Sequence, residues 1–81
     1  MKDLLEYIVK NLVSKPEEVK ISEESADGAI NFNFSVDPED MGIVIGKSGQ
    51  TIRAIRRLLI ARAMIEGQNL KVNLNLQEVS E

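Results

Sequence analysis

Residues 42–49 read GIVIGKSG, so that Gly46 and Gly49 bracket Lys47 and Ser48 directly after Ile43, Val44 and Ile45. Groups of this kind hold phosphates: glycine lets the backbone come close, a hydroxyl and backbone amides donate, and an ammonium supplies charge. The loop of a nucleotide hydrolase needs four residues between its first glycine and the Gly-Lys-Ser/Thr, because that length wraps successive amides round one phosphate. Here three residues separate Gly42 from Gly46, and Met41 occupies the place of the first glycine. The segment also follows an expected short helix rather than a buried strand, so both spacing and context argue against a nucleotide-binding enzyme. What remains is a turn between two helices, Gly46-Lys47-Ser48-Gly49, suited to close approach by a strand of phosphates. The amide dipoles of the helix that follows add to the attraction. The duller explanation is an exposed turn.

The residues after the turn carry cations in a pattern. At about 100° per residue from Ile52, Arg53, Arg56 and Arg57 fall between about 40° and 140°, away from Ile55 and Leu59 near about 300° and 340°. Arg53, closest to the turn, is the best candidate for a backbone contact, with Arg56 and Arg57 in support. A solvated face is the alternative for Arg57. Arg62 lies inside the apolar arc four residues before Glu66, which fits an ion pair along the helix better than a ligand contact. Ile45 and Ile52 flank the turn, either as the floor of a groove or as core. Ile60 and Met64 stand among the arginines, where they pack on the first helix or mark an interface.

Five cations and no acid lie between Met41 and Ile65, which leaves no general base near the turn. With neither histidine nor cysteine in 81 residues, the usual zinc sites, disulfides and thiolate chemistry are also excluded. A catalyst is not expected, nor a cofactor, a metal or a small-molecule substrate.

These side chains need a scaffold, and the hydrophobic pattern outlines one. "KDLLEYIVKNLV" places Leu4, Leu5, Ile8, Leu12 and Val13 at helical spacing, ending before Pro16. "EEVKISEE" and "AINFNFSV" alternate, with Val19 and Ile21, then Ile30, Phe32, Phe34 and Val36, on one face and asparagines on the other. Asp27-Gly28 between them is a tight-turn signal and predicts an antiparallel hairpin. Asp37 as N-cap, Pro38 at the first helical position and early Glu39 and Asp40 open a short helix that stops at Gly46. A longer helix runs from Thr51 to a stop at Gly67, with Ile52, Ile55, Leu59 and Ala63 inward. "LKVNLNL" closes as a strand with Leu70, Val72, Leu74 and Leu76 inward, and residues 77–81 form a frayed tail. The order helix-strand-strand-helix-helix-strand predicts one α+β domain over residues 1–81, its helices packed on one face of a three-stranded sheet.

Composition is consistent with a folded domain: 43% apolar and 28% charged residues, net charge −3. That net value conceals a division. Residues 1–40 hold four lysines against ten acids, whereas residues 41–81 hold six cations against three acids. A basic segment on an acidic body steers a polyanion to one place and discourages adhesion elsewhere. Charged Asp3, Glu6 and Lys10 interrupt the first apolar run, so neither a signal peptide nor a membrane span is expected and a cytoplasmic location follows. Aromatics are limited to Tyr7, Phe32 and Phe34, too few for base stacking to dominate affinity.

"IGKSG" followed by "TIRAIRR", within this order of elements, resembles a type II KH domain over nearly the whole chain, and specifically the small bacterial single-KH RNA-binding proteins of the KhpA type. The resemblance implies that Gly46, Lys47, Ser48 and Gly49 clamp about four nucleotides of single-stranded RNA. It also implies Ile45 and Ile52 beside the bases and a role as RNA chaperone or post-transcriptional regulator. A homodimer, or a heterodimer with a larger KH-containing relative, is implied too, as are links to cell-wall growth and division in some bacteria. The competing expectation is a KH-fold interaction module that binds a protein through Ile60 and Met64.

Overall fold

The computed structural model describes residues 1–77. Its elements are α1 (Lys2–Leu12), β1 (Lys20–Ala26), β2 (Ala29–Ser35), α2 (Met41–Ile45), α3 (Gln50–Ile65) and β3 (Lys71–Gln77), in the expected order. The sheet runs β1-β2-β3, with β1 antiparallel and β3 parallel to the central β2.

The core lies between the sheet and the helices. Alternation in β2 buries Ile30, Phe32 and Phe34, and Val36 follows just past the strand. Leu5 and Val9 of α1, Val44 of α2, and Ile55, Leu59 and Ala63 of α3 meet them, with Val72 from β3. Val9 belongs to the buried stripe of α1 although the spacing of its neighbours did not single it out.

Boundaries moved where local chemistry was stronger than alternation. Pro16–Glu18 forms a 3-10 turn, so β1 begins at Lys20 and runs two residues beyond the expected end, and Val19 precedes it. Only Ile21 in this edge strand is half-buried; the other positions, all polar or charged except Ala26, are exposed. Asp27 and Gly28 both take positive φ (+42° and +77°), and Ala26 pairs with Ala29, as the turn signal requires. Asp37 caps as expected, its Oδ1 accepting the Glu39 amide at 2.9 Å, but the first turn, Pro38–Asp40, is 3-10 and α2 proper starts at Met41. α3 starts one residue early and closes with a paired C-terminal cap. Gly67 (φ +76°) donates to the Met64 carbonyl and Gln68 to that of Ala63. Leu70 precedes β3. Gln77, expected in a frayed tail, lies within β3 and pairs with Ser35; the rest of that tail, 78–81, lies outside the described residues.

The face of the sheet away from the helices carries amides. Asn73 donates to Asn31 at 2.9 Å and Asn75 to Asn33 at 3.2 Å, two bonds that mark the parallel register from the solvent side.

Candidate nucleic-acid interface

Five residues of α2 lead into the turn at Gly46, and their placement depends on an acid the sequence did not single out. Asp40, read only as a favourable charge in a first helical turn, is 5% exposed. Its Oδ1 accepts from the Ser14 amide at 3.0 Å and the Ser14 hydroxyl at 2.8 Å, and its Oδ2 from the Lys15 amide at 3.2 Å. These bonds, led by the Ser14 amide, hold its carboxyl below the ordinary range. Lys15 in turn pairs with Asp37 at 3.6 Å and Glu39 at 3.5 Å, and those carboxylates push the ammonium up. The end of α1 is thereby fastened to the entry of α2.

The turn itself is left-handed at three positions: Gly46 (φ +77°), Ser48 (φ +54°) and Gly49 (φ +75°). Gly46 donates to the Gly42 carbonyl at 2.9 Å and Gly49 to that of Gly46 at 3.1 Å, while Gln50 donates to Lys47. The amides of Lys47 and Ser48 take no part in those closing bonds, and both side chains are exposed. Gly46 rests on Thr51, the second residue of α3: a side-chain carbon on Gly46 would overlap the Thr51 hydroxyl and lie 2.8 Å from its amide nitrogen.

Beyond the turn, the three arginines converge as the helical spacing predicts. A hollow of about 210 Å³ is lined by Arg53, Arg56, Arg57 and Ile60. Arg53 reaches back to the turn, its Nη1 lying 3.7 Å from where a Cβ of Gly49 would be. Arg56 Nε donates to the Val72 carbonyl on the edge strand β3 at 3.1 Å, which joins this face of α3 to the sheet. Among the described residues none of these arginines, nor Lys47, forms an ion pair. Arg62 instead bonds Glu66 at 2.7 Å, the pairing expected for it.

The apolar candidates separate. Ile52 is half-buried against the core, whereas Ile45 is 37% exposed beside the turn. Ile60 is partly buried and lines the arginine hollow, while Met64 is exposed and lines a different one with Gly67, Gln68 and Asn69. A further apolar surface lies on another side of α3. Leu58 (55% exposed) and Ile65 (82%) alternate with exposed Ala54 and Ala61. Their spacing of four, three and four residues was present in the sequence and is the signal that locates them.

Residues 2–76 match the family model described as KhpA/KhpB, KH domain. The chain belongs to this KH-domain family. It is 47% identical over 78 residues to the RNA-binding protein KhpA of Chlamydia caviae, covering 96% of this chain and 97% of that one. The KhpA of Clostridium perfringens is 43% identical over 74 residues, covering 91% and 99%. Among solved structures, Aquifex aeolicus Era bound to GDP and aluminium fluoride matches with a TM-score of 0.74 at 20% identity, over 99% of this chain and 31% of that one. That likeness concerns the fold, which is a KH fold.

No helix among the described residues is long and apolar enough to cross a membrane, and no group of three or more acidic side chains there is placed to hold a metal ion.

Proposed function

We propose that the protein is a non-catalytic, single-stranded RNA-binding protein that acts in the cytoplasm as a chaperone or post-transcriptional regulator. The observation that carries this reading is the stretch from Met41 to Ile65, free of acids, whose Lys47 stands at the turn, whose Arg53 reaches back to Gly49, and whose Arg53, Arg56 and Arg57 line one hollow. The relatives named RNA-binding protein KhpA support it. In the mechanism, Lys47 and the Ser48 hydroxyl meet phosphates at the turn, where glycines at both ends let the strand approach. Arg53 continues the phosphate path, and Ile45 and Ile52 provide apolar surface beside the bases. Few phosphate contacts and no aromatic platform give weak binding with a clear salt dependence. A paired assembly compensates by presenting two such sites together.

For that assembly the Ala54, Leu58, Ala61, Ile65 stripe is a stronger candidate than the Ile60/Met64 pair, because all four of its side chains are exposed on one face, whereas Ile60 is partly buried and lines the basic hollow. In an antiparallel pairing of two α3 helices, each large residue of the stripe meets a small residue of the other copy. The same stripe is the surface available to a larger KH-containing partner.

The deciding experiment compares single-stranded RNA binding by the wild type and by a Lys47→Asp, Ser48→Asp double variant at low and moderate salt. Aspartate tolerates the left-handed backbone at 48, so the fold, followed by circular dichroism, is retained. Salt-sensitive binding that disappears in the folded variant is expected. Unchanged binding would exclude the turn as the clamp.

A further inference from the structure

Arg56 differs from its neighbours in the hollow. Its Nε–H is already committed to the Val72 carbonyl, 3.1 Å away on β3, so the guanidinium plane is fixed and the two Nη groups remain as an end-on fork. Arg53 lies back against Gly49, and Arg57 has no hydrogen bond to hold it among the described residues. The surface also contains Ile60, half-buried, as an apolar wall. A phosphate alone has no use for an apolar wall, whereas a base needs one surface for its face and a pair of hydrogen-bond groups for its edge. The hollow, about 210 Å³, has room for a base.

Resting on the RNA-binding reading above, we infer that this hollow is a specificity pocket for guanine, with Arg56 as the residue that determines the choice. The guanidinium fork donates two parallel hydrogen bonds to O6 and N7 of the base. Adenine presents an amino donor where O6 would be, and the pyrimidines have no N7, so each loses at least one of the two bonds. Ile60 takes the face of the base, and Arg53 and Arg57 hold the phosphates on either side.

The test uses the full chain and fluorescence anisotropy with labelled single-stranded RNA octamers. The octamers carry adenine throughout, or one central guanine, cytosine, uracil or 7-deazaguanine. The guanine octamer is expected to bind about tenfold more tightly than the others, the discrimination typical of one bidentate contact. Because 7-deazaguanine lacks N7 but leaves the backbone unchanged, it separates a base contact from a phosphate contact on the wild-type protein alone. Arg56→Lys keeps the charge and removes the fork, and is expected to bring the ratio of guanine to all-adenine affinity from about tenfold to about one. Equal affinity for guanine and 7-deazaguanine, or a uniform loss for every octamer in Arg56→Lys, overturns the pocket and leaves Arg56 as a tether of β3. If no octamer binds at all, the RNA-binding reading itself falls, an outcome distinct from equal binding.

Discussion

At the scale of single residues, the two glycines of the turn meet different demands. Both need left-handed backbone, but only Gly46 is pressed against Thr51, whereas a Cβ at Gly49 meets nothing nearer than Arg53 Nη1 at 3.7 Å. Gly49→Ala is expected to cost about 1 kcal/mol, the conformational part alone. Gly46→Ala adds overlap with a backbone atom and is expected to exceed about 2 kcal/mol. In thermal melts the two correspond to drops of about 5 °C and about 10 °C or more. Equal drops would mean that Thr51 is not what reserves position 46 for glycine. The sequence revealed the turn, because two glycines two residues apart after an apolar run have few other uses. Thr51 as its seat could not be read there, since that contact exists only once α3 has folded back beneath the turn.

At the scale of elements, the Asp40 junction fixes the angle at which α1 meets the segment carrying the turn. Asp40→Asn retains one acceptor oxygen and loses the charge, leaving at least one of the Ser14 and Lys15 donors unsatisfied. Its melting temperature is expected to fall by about 5 °C or more at neutral pH. Because the folded-state carboxyl is held below its ordinary value of 3.8, its stabilisation is fully present above that pH and is lost as pH falls through the lower folded-state value. Acid titration of stability should therefore show a shallower loss in Asp40→Asn than in the wild type. Identical acid limbs would show that the junction does not contribute. Elements with one dry face were legible from alternation or helical spacing, as in β2 with Ile30, Phe32 and Phe34 and in α3 with Ile55, Leu59 and Ala63. β1 was less so, since this edge strand half-buries Ile21 alone and leaves its other positions exposed. Asp40 stands in the first turn as expected, but its bonds to Ser14 and Lys15 were not legible, because an acid there looks the same whether it faces water or the backbone of another element.

At the scale of the whole molecule, the acidic first half and the basic second half fold so that Lys47 at the turn and Arg53, Arg56 and Arg57 at the hollow stand outside the ion pairs among the described residues. A separate apolar stripe lies elsewhere on α3. Leu58→Glu places charge in that stripe without touching the core or the arginine hollow. It is expected to convert a dimer into monomers in analytical ultracentrifugation, with little change in melting of the separated chains and weaker RNA binding through lost avidity. A wild type that sediments as a monomer at every concentration would remove the stripe from this role. The parallel pairing of β2 with β3 has a temporal consequence. β1 and β2 are joined by a two-residue turn and can close as soon as both exist, whereas Asn31 meets Asn73 across 42 residues of chain. During synthesis, α2, the turn and α3 all emerge before β3 can dock. A nascent chain that stops short of Val72 already carries Lys47, Arg53, Arg56 and Arg57, yet lacks the carbonyl to which Arg56 donates. If the hollow reads guanine as proposed, charge arrives early and discrimination late, and an unfinished molecule would attract polyanions before it could choose among them.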